Sequence, residues 1–291
     1  MPELPEVETM CRGIAPVVGR IIVAAGRLPC QRRPIAVTPG PAVWKSRVVG
    51  QSIDRIDRVG KRVVLVLGNH DRIVFEPRMT GLVLLADPPS EEHLRFQLDV
   101  SSKKSPLQLR FWDRRGLGSV KLYSQTEFEL AFQLGKIGPD ALAVSAARLQ
   151  SCFAGCRQAI KPALLDQKRL AGVGNLYASE MLFLAGIHPA IRCHHLHDDQ
   201  WRAIHKTMQK VLRTAIRYEG STLGDGTYRN ALNKVGGYQN HHRVYDREGV
   251  PCLLCKTAIQ RCVQTQRATF FCPNCQRDSL HQLEEPHTWA Q

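Results

Sequence analysis

The chain has 291 residues, with 40 lysines and arginines against 26 acidic residues and a formal charge of +14. That length suggests about two domains, each able to bury its own core, and the charge favours a polyanionic partner, nucleic acid ahead of an anionic membrane. No apolar run reaches the roughly 18 residues of a membrane span, and no basic stretch followed by an apolar core opens the chain, so neither a membrane anchor nor a secretory leader is expected and a cytoplasmic setting is.

The chain opens Pro2-Glu3-Leu4-Pro5-Glu6. Removal of Met1 would leave Pro2 with a free secondary amine. Attack of such an amine on a sugar carbonyl carbon gives an iminium that cannot shed its charge to become a neutral imine, so it persists as an electron sink. An α-amino group also titrates near roughly 7.7 to 8.0, which leaves a nucleophilic fraction at neutral pH. The plainer alternative is that Pro2 starts a helix whose dipole Glu3 and Glu6 complement. Val7, Met10, Cys11 and Ile14 fall at i, i+3, i+4 and i+7, the apolar face of that first helix.

Strands follow. Ile53 to Ile56, Val63 to Leu67, Ile73 to Phe75, Leu82 to Leu85, Leu94 to Val100, Leu107 to Trp112 and Val120 to Tyr123 are short apolar or alternating runs between turn residues. Near Lys136 the pattern changes to helices over Ala141 to Phe153, Pro162 to Leu170, Asn175 to Ala185 and Asp198 to Tyr218. The last carries Trp201, Ile204, Met208, Val211, Leu212, Ala215 and Ile216 on one face and Arg202, Lys206, Lys210 and Arg213 around the other. Asn175 follows Gly172-Val-Gly at a helix start, where its amide and the backbone N–H groups suit a phosphate, or where it serves as a plain N-cap. Gly220 to His242 is polar and glycine-rich, and is expected to be a mobile loop.

Cys252-x2-Cys255 and Cys272-x2-Cys275, sixteen residues apart, present four thiolates from two turns, the pattern of one structural Zn2+ with no open position for chemistry. No catalytic cofactor is implied. The basic, hydroxyl-bearing segment Gln264 to Phe271 between the knuckles suits phosphate or sugar contact. Cys193, His194, His195 and His197 crowd onto nearly consecutive positions and are expected on a surface loop. Cys152 and Cys156, at i and i+4 of a predicted helix, read as a core and a surface thiol, respectively.

Four separated segments together resemble the bacterial formamidopyrimidine-DNA glycosylases. They are Pro2-Glu-Leu-Pro-Glu-Val-Glu-Thr, Gly60-Lys61-Arg62, Lys161-Pro162 through Gly172-Val-Gly-Asn-Leu-Tyr-Ala-Ser-Glu180, and Gln266-Arg-Ala-Thr-Phe-Phe-Cys272. The resemblance implies an α+β fold: an N-terminal β-sandwich with its N-terminal helix over 1–135, a helix-two-turns-helix domain with a lesion-recognition loop over 136–245, a zinc-finger hairpin over 246–277 and a flexible tail over 278–291. It implies a monomeric, nucleoid-associated bacterial enzyme of base excision repair acting on double-stranded DNA with oxidised bases. That enzyme would be a bifunctional glycosylase and abasic-site lyase, excising 8-oxoguanine and formamidopyrimidines through a Schiff base at Pro2 and cutting the strand by β,δ-elimination.

By the same resemblance Pro2 attacks the anomeric carbon, Glu3 manages protons, Lys61 contacts phosphate and assists elimination, and Arg267 grips the phosphates around the lesion. Glu6, i+3 from Glu3, either tunes the amine or holds a water, or serves only helix-end electrostatics. A base cannot be reached inside the stack, so it is rotated out and its space filled. Met79, Arg115 and Leu117 occupy the family's void-filling positions, although Met79 alone would read equally as core. Leu117 departs from the phenylalanine common there. His93 and Arg157 match further DNA contacts by position. Residues 224–239 depart from the best-known lesion loops, which leaves lesion choice open. Rival readings are an endonuclease VIII-like glycosylase for oxidised pyrimidines, which Leu4-Pro5 disfavours, a damaged-DNA-binding protein without catalysis, and a zinc-ribbon subunit of a larger machine.

Overall fold

The computed structural model describes residues 2–102, 107–132, 136–224, 226 and 228–277, so the tail expected to be flexible lies outside the described residues. The chain packs into two compact units, one of Met1–Asp140 with Leu212–His241 and the other of Ala141–Val211 with His242–Gln291.

The first unit is a β-sandwich. Helix α1 (Leu4–Gly13) leads into β1 (Ile22–Arg27), β2 (Ala36–Thr38), α2 (Pro41–Val48), β3 (Ile53–Val59), β4 (Arg62–Leu67), β5 (Arg72–Glu76), β6 (Gly81–Leu84), β7 (Leu94–Val100), β8 (Leu107–Asp113), β9 (Ser119–Tyr123) and α3 (Gln125–Phe132). One sheet has the order β1-β7-β8-β6 and the other β2-β9-β5-β4-β3. All pairings are antiparallel except β2 with β9. Val63, Leu65 and Leu67 of β4 point into the main core with Val7, Met10 and Ile14 of α1. Val64 points the other way, under Val74 and Phe128 of α3. Burial on both faces explains why β4 is a continuous apolar run rather than an alternating one.

Four elements of this unit escape a reading by periodicity. Strand β1 has only one fully buried residue and a mostly exposed or half-exposed remainder, and β2 is three residues long. Helix α2 buries only Trp44 and Val48, and α3 only Phe128. The segment expected to be a mobile loop is instead anchored in this core through Tyr228 and Ala231. It also contains a short 3-10 helix, Tyr238–His241, with Tyr238 buried. Its Asp225 and Thr227 lie outside the described residues.

The second unit contains α4 (Ala146–Cys152), α5 (Ile160–Leu164), α6 (Asn175–Ala185), the start of α7 (Asp198–Arg217) and the hairpin β10 (Gln260–Gln264) with β11 (Arg267–Phe271). Helix α4 begins at Ser145, whose hydroxyl accepts the Arg148 N–H at 3.2 Å. It stops at Cys152, because Gly155 turns with φ +69°. The thiol expectation is therefore reversed: Cys156 is buried and Cys152 is half-buried. Helix α5 is shorter than expected and starts two residues earlier. Helix α6 is buried on nearly all sides, and Gly186 caps it in the left-handed region with φ +68°. Its Glu180 is wholly buried, with the carboxylate accepting N–H bonds of 2.9 to 3.0 Å from Arg243, Val244 and Tyr245. The apolar face expected of α7 is buried as read. Cys193 is buried and opens a short 3-10 helix, Cys193–His195, instead of lying on the surface.

In the first unit Arg58 joins distant parts of the chain. Its Nε donates to Glu8 of α1 at 2.9 Å, its Nη2 to Asp140 at 3.0 Å, and its Nη1 to the Gly60 carbonyl at 3.1 Å. Burial works to raise the Glu8 pKa, but the hydrogen bonds and charges of Arg58 and Arg12 overcome it and hold Glu8 below its ordinary value. The stabilisation is thus fully present above the unfolded glutamate value of about 4.3 and is lost as pH falls through the lower folded value. Arg58→Met is expected to cost about 2 to 3 kcal/mol, below the range for a fully buried pair because both carboxylates keep some exposure. Thermal melts across that acid window are expected to show a shallower pH dependence in the variant.

Candidate functional site

The start of α1 is built around two carboxylates. Pro2 and the five residues after it are buried. Glu3 is the N-cap residue, with extended backbone at φ −105° and ψ −167°, and forms a reciprocal capping box with Glu6. Glu6 Oε2 accepts the Glu3 N–H at 2.9 Å, and Glu6 Oε1 accepts the Ser221 N–H at 2.9 Å. Gly220 has φ +81°, and a Cβ there would lie 2.8 Å from Glu6 Oε1, so only glycine allows this approach. Tyr228 closes the joint by donating its hydroxyl to the Glu219 carbonyl at 2.9 Å. Burial pushes the Tyr228 hydroxyl well above its ordinary pKa, so it stays a neutral donor. Sequence reading missed Ser221, Gly220 and Tyr228 as partners of Glu6, because the contact spans more than two hundred residues and uses a backbone N–H.

Lys61 lies in the two-residue turn between β3 and β4. Gly60 takes φ +58° in that turn, and Arg58 holds the Gly60 carbonyl, so the backbone that carries Lys61 is fixed at a corner of the sandwich.

Met79 and Leu117 are 38% and 36% exposed, which removes the core-filling alternative for Met79. Arg115 is exposed as well. The residues beside them are tied together: the Thr80 hydroxyl donates to the Asp113 carboxylate, and the Arg115 N–H reaches the Thr80 hydroxyl at 3.0 Å. His93 is mostly covered, edge-on to Trp112 with ring centroids 5.6 Å apart, and its Nε2 lies 3.0 Å from a Glu92 carboxylate oxygen. Burial lowers its pKa despite the Glu92 charge, which favours the neutral ring near pH 7.

In the second unit Asn175 is the first residue of α6, with Gly174 as the N-cap, so it is not the cap itself. Its amide is also committed. Oδ1 accepts from Lys161 Nζ at 2.7 Å and Nδ2 donates to the Ala268 carbonyl at 2.9 Å. Lys161, 1% exposed, further donates to the Ala268 carbonyl at 2.9 Å and the Thr269 hydroxyl at 2.8 Å. A buried ammonium satisfied by three acceptors therefore fixes α6 against β11. Arg267 begins β11 just past the turn residues Thr265 and Gln266, both in the left-handed region with φ +46° and +61°. Its side chain is exposed, as is that of Arg157.

The four cysteines expected as ligands meet. Their sulfurs all lie within 4.8 Å of one another, with Cys252 to Cys275 at 3.9 Å and Cys255 to Cys272 at 3.4 Å. A tetrahedral ion with metal–sulfur bonds of about 2.3 Å needs sulfurs about 3.8 Å apart. The donor set thus fits one structural metal ion, and no other such cluster occurs among the described residues, the Cys193 to His197 stretch included.

A sandwich whose first helix opens on the Glu3–Glu6 capping box behind Pro2, and a helical unit carrying a four-cysteine hairpin, are shared with the DNA glycosylases of base excision repair, as comparison with known proteins shows. Residues 1–120 match the formamidopyrimidine-DNA glycosylase N-terminal domain, and residues 137–226 match its H2TH domain. A curated formamidopyrimidine-DNA glycosylase of Chloroflexus aggregans is 41% identical over 286 residues, covering 95% of this chain and 98% of that protein. Crystal structures of Lactococcus lactis Fpg are similar too. One, of a mutant with DNA containing Fapy-dG, has a TM-score of 0.84 at 32% identity, covering 95% of this chain and 100% of the other. Another, with DNA containing an abasic site, has a TM-score of 0.83 at 31% identity and the same coverage. The chain belongs to the formamidopyrimidine-DNA glycosylase family.

Lys161→Met keeps the stem but removes the donor to Asn175 Oδ1 and one of the two bonds at both the Ala268 carbonyl and the Thr269 hydroxyl. It is expected to destabilise the second unit by about 3 kcal/mol, read by chemical denaturation, because unsatisfied buried partners bear their full desolvation cost.

Proposed function

We propose that this enzyme excises oxidised purines, 8-oxoguanine and formamidopyrimidines, from duplex DNA and then cuts the strand as an abasic-site lyase. The observation that carries this reading is the Pro2-Glu3 pair at the buried, doubly anchored start of α1. The relatives crystallised with Fapy-dG and abasic-site DNA support the substrate class.

With Met1 removed, the Pro2 nitrogen lone pair bonds to C1′ as the base departs with a proton. The amine then gives up its proton as the ring bond C1′–O4′ breaks and O4′ is protonated, and the resulting ring-opened iminium acidifies C2′–H, so that loss of that proton expels the 3′ phosphate. A second proton loss, at C4′, expels the 5′ phosphate. Glu3, beside the amine, relays protons at the sugar and base. Glu6, whose oxygens each hold a backbone N–H, keeps Glu3 and the Gly220 turn in place. Lys61 and Arg267 offer cationic ends to the phosphates that leave. Met79 and Leu117 fill the vacated stack, and Arg115 hydrogen-bonds the orphaned base. His93, Arg157 and the N-terminus of α6 contact the backbone, which makes affinity salt-dependent. The functional modules are then 1–135, 136–245 and 246–277. The metal is zinc, and it shapes the hairpin that carries Arg267 without taking part in a chemical step.

Borohydride capture on a duplex containing 8-oxoguanine is expected to give one covalent complex per correctly trimmed chain, and none when the Pro2 nitrogen is acetylated. A captured complex with a blocked nitrogen would move the nucleophile elsewhere. Preferential capture on oxidised pyrimidines would reassign the lesion class.

Metal analysis is expected to find one zinc per chain. Cys272→Ser or prolonged chelation is expected to remove it and to lower duplex affinity, since a lone two-stranded hairpin has little stability of its own.

A further inference from the structure

We propose that Asp113 is a positioning residue that sets Met79, Arg115 and Leu117 in a single rigid frame and thereby governs how well the enzyme holds a base out of a duplex. The inference rests on the void-filling reading of those three side chains.

Asp113 ends β8 opposite Gly81 of β6 and has no exposed surface. Its carboxylate is shared out among the residues that flank the exposed tips. Oδ1 accepts from the Thr80 hydroxyl, next to Met79, and from the Arg115 N–H at 3.2 Å. Oδ2 accepts the Gly118 N–H at 2.7 Å, immediately after Leu117. The Thr80 hydroxyl in turn accepts the Arg115 N–H, and Arg95, itself buried, donates to the Asp113 carbonyl at 2.9 Å. One carboxylate thus holds the backbone of Arg115, the backbone just after Leu117 and the neighbour of Met79.

The glycines around this carboxylate leave the frame no slack. A Cβ on Gly81 would lie 2.6 Å from the Pro77 backbone, one on Gly118 2.9 Å from the Glu76 carbonyl oxygen, and one on Gly116, where φ is +62°, 2.6 Å from the Arg33 carbonyl oxygen. Exposed apolar side chains would otherwise fold onto the protein surface, which costs them nothing in water. Anchoring their backbones in advance leaves less freedom to lose when they enter the stack.

The test compares duplex with single-stranded substrate. A single strand has no partner base and no stacked void, so capture of an abasic single strand needs the amine but not the frame. Asp113→Asn turns one acceptor oxygen into a donor facing other donors, and Thr80→Val removes the hydroxyl relay while keeping shape. Both variants are expected to lose roughly tenfold or more in single-turnover excision from duplex, the scale of a small misplacement, with single-strand capture within about twofold of the unaltered enzyme. A 2-aminopurine beside the lesion is expected to brighten less in the complex. Leu117→Ala added to Asp113→Asn is expected to cost no more than the larger single change. Equal losses on both substrates, or additive losses in the double variant, would overturn the proposal. Should Asp113→Asn fail to fold, Thr80→Val alone decides. If the unaltered enzyme is captured on neither substrate, it is the functional reading that fails.

Discussion

Both carboxylate oxygens of Glu6 are spent on backbone N–H groups, one at the start of its own helix and one at Ser221. One carboxyl group that accepts two backbone N–H bonds fixes two segments at once, and this one closes a loop of 215 residues. The start of α1, the Gly220 turn and the core position of Tyr228 all depend on it. A helix end is normally the loosest part of a helix. Here it is among the most constrained, which suits a place where a reacting atom has to be held still.

The same device recurs with other charges. Arg58 ties α1 and the Lys61 turn to Asp140, Lys161 ties α6 to β11, Glu180 gathers three successive N–H groups, and Asp113 collects the donors around the exposed tips. Arg58, Lys161 and Asp113 each lie next to residues with a proposed role in DNA contact or catalysis, whereas the apolar cores beneath are ordinary packed layers. Burying a charge is costly unless every partner is supplied. The return is geometry, since several oriented hydrogen bonds specify a position more narrowly than packing does.

Much of this was legible beforehand, for reasons of range. The face of α1, the seven apolar strands and the extent of α6 follow from spacing within a dozen residues, and the four cysteines announce themselves by a local pattern. Strand β1 was not legible because it lies at a sheet edge with few buried positions to mark it, and α4 was overextended by five residues at its start, where Ser145 caps it without a proline to mark the boundary. The least legible features join distant segments through backbone atoms. Nothing local in Asn175 predicts that Lys161 and a carbonyl of the zinc hairpin will take its amide, nor does Gly220 reveal that it makes room for Glu6. Motif resemblance found the residues, but not what holds them.

The covered start of the chain bears on how the protein can be handled. Because Pro2 through Val7 are packed away from solvent and Glu3 and Glu6 form the capping box there, an affinity tag fused ahead of them, or a scar left after its cleavage, would turn the Pro2 nitrogen into an amide and add peptide groups beside that box. Arg277 near the other end is exposed, so handles for purification, surface attachment or labelling belong on that side of the chain.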